Sequence, residues 1–137
     1  GSRLLSSSKT TRSFKRSLLS ICYNMLIKLF FFSSFSDAQC GFKAMTRETA
    51  ELIVPHIVNN NWFFDTELLI IADQNKFLIE EIPVTWIEDS DSRVNIIKTV
   101  TEDIKGLLRL RLHSLPKIVP PVITVEAQDH VGDHPYK

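Results

Sequence analysis

The sequence predicts an α/β fold, a mixed sheet with amphipathic helices, and three observations lead there. Segments whose apolar residues recur at helical spacing alternate with two short strand-like runs, Phe42 to Met45 and Phe77 to Trp86. Hydrophobic side chains make up 44% of the 137 residues, enough for one packed domain. Four glycines, six prolines and a charged fraction of 23% exclude a disordered or collagenous chain. Two cysteines with no Cys-x-x-Cys pair exclude a disulfide scaffold and suggest neither a zinc nor a redox site.

Ser6 to Thr11 reads as a flexible hydroxyl-rich loop. Phe14 to Phe32 follows as a helix capped by Thr11 or Ser13. Ser20, Asn24 and Lys28 interrupt it, so its apolar run falls short of a membrane span, although it could lie in an interface. A signal peptide is disfavoured because no Ala-x-Ala-like site follows. A polar turn from Ser36 or Asp37 ends at Gly41, where close approach or a positive φ is expected, and leads into Phe42 to Met45 as a buried strand. Thr46 caps the next helix, which stops at or before Pro55. Asn59 to Asn61 form a turn before a helix from Asp65 to Asn75, with Asp65 as a cap and Leu68, Leu69, Ile71 and Ala72 inward.

Pro83 marks the run up to Trp86 as an edge or a bulge. The helix from Val94 to about His113 gathers Ile97, Val100, Ile104, Leu107, Leu108 and Leu112 on one face. That face suits either core closure or a headgroup boundary, with Lys98, Lys105, Arg109 and Arg111 at its polar edges. Pro120, Pro121 and the polar end make residues 116–137 a mobile Pro-containing tail.

Net charge is zero, yet the charges are segregated. Residues 1–36 hold Arg3, Lys9, Arg12, Lys15, Arg16 and Lys28 without a carboxylate, so they carry +6 and the remainder −6. Such a basic stretch fits an anionic partner or, equally, a surface neutralised by the acidic remainder. Nucleic acid is not the expected partner, because aromatics are not interleaved with the cations at the start of the stretch.

Five blocks occur in order: Gly1-Ser2-Arg3; Arg12-Ser13-Phe14-Lys15-Arg16 with Ser20; Asp37-Ala38-Gln39-Cys40-Gly41-Phe42-Lys43; Phe64-Asp65-Thr66-Glu67-Leu68-Leu69; and Ile82-Pro83-Val84-Thr85-Trp86 leading to Ser92-Arg93. Over residues 1–115 they resemble the family 2 glycosyltransferases that load a sugar onto a polyprenyl phosphate, the dolichyl-phosphate glucosyl- and mannosyltransferases. The resemblance implies the acceptor-side, C-terminal half of a GT-A (Rossmann-like) catalytic domain. It implies transfer of a hexose from a nucleotide sugar to dolichyl or polyprenyl phosphate, with inversion. A catalytically silent membrane-associated or interaction protein derived from such an enzyme is the alternative.

The resemblance also implies a donor half with an Asp-x-Asp motif that holds Mg or Mn. Asp89-Ser90-Asp91 falls in the acceptor-side loop, so no metal site is expected in this chain, which alone is expected to be inactive. By the same resemblance Arg3, Arg16, Ser20 and Arg93 bind the acceptor phosphate, Asp37 is a base or an orienting carboxylate, and Glu67 helps organise the site. Without it, the arginines read as surface cations and Asp37 as a turn residue bonding its own backbone. Ser90 stands where relatives carry glycine. The implied location is peripheral, on the cytoplasmic face of a membrane, and the oligomeric state is not implied.

Overall fold

Ser13 leaves an extended entry, and its hydroxyl accepts from the Arg16 N–H, which opens helix α1 (Phe14–Phe31). The computed structural model describes residues 1–87 and 96–121. Within them lie α2 (Arg47–Ile53), α3 (Phe64–Gln74) and α4 (Ile96–Leu112), together with strands β1 (Lys9–Thr11) and β2 (Thr85–Ile87). The strands pair in parallel, Lys9 opposite Thr85 and Thr11 opposite Ile87, and a parallel bridge between Ser2 and Pro83 continues the pairing. The class is therefore mixed α/β, with a small sheet and four α-helices among the described residues.

β1 replaces the expected loop over Ser6 to Thr11. Serine serves the backbone here: Ser8 Oγ donates to Ser2 O at 2.6 Å and accepts from Val84 N at 3.1 Å, while Lys9 N donates to Val84 O at 3.0 Å. The expected strand over Phe42 to Met45 does not form. Phe42 is 58% exposed, and Lys43 bonds loop carbonyls instead of leaving the segment free to pair. Only the end of the run from Phe77 is a strand, since Pro83 has no N–H to donate.

Thr46 caps α2 as expected, accepting from Thr49 N at 3.2 Å, and Pro55 falls in the 3₁₀ turn Val54–His56 that follows. α3 begins one residue earlier than expected. Asp65 sits inside its first turn, and the N-cap, Phe63, supplies no side-chain bond. Gly41 needs neither a positive φ nor extra room, since an added Cβ would meet nothing within 4 Å. Cys40 is buried and Cys22 is exposed.

The main core joins α1, α3 and α4 through Ile27, Phe31, Phe35, Phe63, Ile70 and Leu107. Ile70, fully buried, was not among the residues expected inward. A smaller cluster of Ile53, Leu68, Ile71 and Ala72 joins α2 to α3. The largest departure concerns α4. Of its gathered apolar residues only Leu107 is buried, while Ile97 and Leu112 are 80% and 79% exposed and Val100, Ile104 and Leu108 are also exposed. The inward face consists of Asp103, Gly106, Leu107 and Leu110. The sequence period thus gives the apolar face but not its direction.

The tail expected from residue 116 is held at its start. Asn75 Nδ2 donates to Pro116 O at 3.0 Å, and Ile118 N donates to Asn75 Oδ1 at 2.7 Å. Residues 122–137 lie outside the described residues.

Gly106 faces the ring of Phe63, and a Cβ there would stand 2.5 Å from Cε1. Replacing Gly106 by Ala should therefore destabilise the fold by about 1–3 kcal/mol from overpacking, although Ala is the better helix former by about 1 kcal/mol. Chemical denaturation measures it. A stability gain would show that the Phe63 ring moves aside freely.

Candidate functional site

The N-terminal segment is sewn to the loop after α1. Ser2 is fully buried with its hydroxyl 2.6 Å from Ser36 Oγ, and Ser36 N and Oγ donate to Glu81 Oε1 at 2.9 and 2.6 Å. Arg3 then meets Asp37 in a bidentate pair: Nε to Oδ2 at 2.7 Å, Nη2 to Oδ1 at 2.9 Å, with Arg3 N also donating to Oδ2 at 3.0 Å. The two side chains are 8% and 0% exposed. The Trp86 ring of β2 lies 5.4 Å from the guanidinium carbon, at cation–π range.

Burial pushes the Asp37 carboxyl upward, but hydrogen bonds and charge from Arg3, with the N–H groups of Arg3 and Gln39, hold it below the usual carboxylate value. Gln39 N donates to Oδ1 at 3.2 Å, so the turn bond expected of a plain loop aspartate is also present. This geometry suits a carboxylate that orients Arg3 better than one that collects a proton.

Ser20 lies on the inward face of α1, 3% exposed, and its Oγ has no hydrogen-bond partner among the described residues. Arg16 stands one turn away on the same helix, half-buried. Asn24 connects this turn to the loop: its Nδ2 donates to Ser20 O at 2.8 Å, and its Oδ1 accepts from Ala38 N at 2.9 Å. The structure thus brings Arg3 and Asp37 into contact and ties the Ser20 turn to the residue after Asp37.

Glu67 has a different place. It is fully buried, accepts from Val58 N at 3.2 Å and Asn59 N at 3.0 Å, and pairs with Arg109 of α4 at 2.8 Å. With both oxygens engaged by these donors, Glu67 is a brace between the Val58–Asn59 turn and α4. Arg93 lies outside the described residues, as do Ser92 and the Asp89-Ser90-Asp91 string.

Asn24, Lys43, Gln39, Asp103 and Tyr23 shape the site although none was singled out for it. Asn24 signals itself only as a polar residue four positions after Ser20. Lys43 donates to the carbonyls of Ala38 and Cys40 and pairs with Asp65 at 3.3 Å, holding the loop to α3. Gln39 Nε2 donates to Asp103 Oδ2 at 2.8 Å, while Asp103 Oδ1 has no partner among the described residues. Burial and the neighbouring Glu102 charge, against the Gln39 bond, push Asp103 up to about 7. Tyr23 is raised by burial and then by the Asp103 charge, against its bond to Thr66 Oγ1 at 3.1 Å.

Among the described residues no group of three or more His, Cys, Asp or Glu is arranged to hold a metal ion. Of the carboxylates predicted for the site, Asp37 and Glu67 are occupied by Arg3 and Arg109. A divalent cation therefore does not fit these side chains.

These titrations act in separate pH windows. Asp103 holds its proton more tightly folded than unfolded, so stability should fall as pH rises from about 4 to about 7 and then level off. Asp37 has the opposite sign: its contribution is present at neutral pH and is lost as pH falls below 3.8. Denaturation midpoints of the wild type and Asp103→Asn between pH 4.5 and 8 should converge in shape only above pH ~7. Parallel profiles throughout would refute the raised Asp103.

No family model matches the chain, and no solved structure matches it. Curated relatives do. Glycosyltransferase AglD of Haloferax volcanii is 38% identical over 100 residues, 73% of this chain and 16% of that protein. Dolichyl-phosphate β-glucosyltransferases of Dictyostelium discoideum and Homo sapiens are 33% and 37% identical over 104 residues, 76% of this chain and 32% of each relative. The chain spans about a third or less of the relatives' length. Over some 70% of its length it is a homologue of one part of the dolichyl-phosphate β-glucosyltransferases and of AglD.

Proposed function

We propose that the chain forms the acceptor side of a GT-A glycosyltransferase domain, over residues 1–115, that transfers a hexose from a nucleotide sugar to dolichyl or polyprenyl phosphate. The relatives' names favour glucose and dolichyl phosphate. The observation that carries the reading is Ser20: a buried hydroxyl without a partner, one turn from Arg16 and joined by Asn24 to the loop that holds Arg3 against Asp37.

In this reaction an acceptor phosphate oxygen forms a bond to the anomeric carbon, and the bond from that carbon to the nucleoside diphosphate breaks with its electron pair leaving on the diphosphate. The acceptor is already anionic near neutral pH. It requires placement by cations and hydroxyl donors more than deprotonation, which agrees with the lowered Asp37. Arg16 and Ser20 would hold the phosphate, and Asp37 would fix the direction of the Arg3 fork. On this reading a divalent metal belongs with the donor half of such an enzyme and not with the side chains described here.

A peripheral membrane contact accompanies this reading. α1 exposes Phe14, Leu18, Ile21, Met25 and Leu29 along one side, Phe32 is exposed at its C-cap, and α4 exposes Ile97, Ile104, Leu108 and Leu112. Exposed Lys15, Lys28, Lys98 and Lys105 lie on the same helices, where headgroups could meet them. Among the described residues no helix is long and apolar enough to cross a membrane.

The test is a sugar-transfer assay with full-length protein carrying this sequence, using UDP-glucose or GDP-mannose, Mg or Mn, and a polyprenyl phosphate. Arg16→Ala should raise the acceptor KM about 10-fold or more, as expected for loss of a charge-assisted bond, with little change in Tm. Ser20→Ala should weaken acceptor binding while leaving stability equal or higher, because it removes an unpaired buried hydroxyl. Absence of transfer with either donor would sink the reading.

A further inference from the structure

A buried carboxylate on the inward face of α4 has no part in the reaction just described. Asp103 is 2% exposed, yet it occupies a position where an apolar residue would pack without desolvating a charge. Its one hydrogen bond among those described runs to Gln39 Nε2 at 2.8 Å. Gln39 is itself two-sided: its side chain reaches Asp103, and its main-chain N–H reaches Asp37 Oδ1 at 3.2 Å. Asp103, Gln39, Asp37 and Arg3 are thus connected in series from α4 to the guanidinium, by hydrogen bonds on either side of Gln39 and through Gln39 itself.

We propose that Asp103 is a positioning residue, which by holding the Gln39 side chain fixes the Asp37 carboxylate and hence the orientation of the Arg3 guanidinium. The latch makes the site dependent on the placement of α4. The other side of α4 carries exposed apolar side chains, so whatever seats that helix also sets the geometry at Arg3. The titratable groups that act on Asp103 are Glu102 on α4 and Tyr23 on α1. Neither forms the hydrogen bond that sets the latch, and both remain in the variants below.

The proposal rests on the glycosyltransferase reading only for its kinetic readout. Gln39→Met opens the latch at a half-buried position, Asp103→Leu opens it from α4, and Asp103→Asn keeps an oxygen that accepts from Gln39. The first readout, free of any activity, is the ¹⁵N–¹H resonance of Arg3 Nε in the chain. It should move in Gln39→Met and Asp103→Leu and stay near its wild-type position in Asp103→Asn. The second is transfer by the full-length protein: the two latch-opening variants should lose about 10-fold in kcat/KM for the polyprenyl phosphate, with the nucleotide-sugar KM within about twofold, and Asp103→Asn should restore most of it. The double variant Gln39→Met/Asp103→Leu should be no worse than either alone.

An unmoved Arg3 resonance in folded Gln39→Met overturns the latch, and so do additive losses in the double variant. If Asp103→Leu fails to fold, Gln39→Met and Asp103→Asn still decide. If the wild type transfers nothing, the glycosyltransferase reading fails while the resonance continues to report on the latch.

Discussion

The bidentate pair between Arg3 and Asp37 is the interaction around which the rest of the described structure is arranged. Burying two opposite charges costs several kcal/mol per ion unless geometry and additional donors compensate. Here the carboxylate accepts from Nε, Nη2 and the main-chain N of Arg3 and from the main-chain N of Gln39. Loss of either partner would leave a buried charge, at about 3–5 kcal/mol. Because Arg3 directly follows the residue that bridges to Pro83, the same pair that shapes the loop holds the N-terminal segment where parallel pairing with β2 can begin.

The two long helices are arranged with polar groups inward at this loop and apolar groups outward. α1 buries Ser20 and Asn24 and exposes Phe14, Met25 and Leu29; α4 buries Asp103 and exposes Ile97 and Leu112. A core built only for stability would reverse this. The inward polar groups are used, in that Asn24 and Asp103 each hold one residue of the loop, Ala38 and Gln39. The outward apolar sides leave large hydrophobic surface, which on a soluble monomer usually marks an interaction surface.

Much of this was legible in the sequence, and the failures share a cause. Local signals were read correctly where local physics decides: Thr46 as a cap, and Thr11 or Ser13 as the cap of α1, of which Ser13 serves. The ordered motifs located Arg3 and Asp37, which the fold brings together from 34 positions apart. Elsewhere, where a residue's role is set by a partner distant in sequence and no motif marked it, the reading failed. The Ser8 hydroxyl turned an apparent loop into a strand by meeting Val84, and Lys43 turned an apparent strand into a loop support by meeting Asp65 and two carbonyls. On α4 the helical period was correct, but the Phe63 ring requires Gly106 beneath it, so the helix turns a side of mixed polarity inward.

Glu67 shows how the outer brace and the inner latch belong to one device. Its carboxylate closes the turn at Val58 and Asn59 and grips Arg109, which fixes the C-terminal half of α4 against α3. Arg109 lies six residues beyond Asp103 on that helix, so the rotation and height of α4 that let Asp103 reach Gln39 are set partly by a residue of α3. The loop is then held from three helices: by Asn24 from α1, by Asp65 through Lys43 from α3, and by Asp103 from α4. Three separate polar anchors, at Ala38, Gln39 and Lys43, leave Asp37 little freedom of its own. The direction of the Arg3 fork is therefore a property of how the helices are packed, more than of the loop sequence that carries the motif.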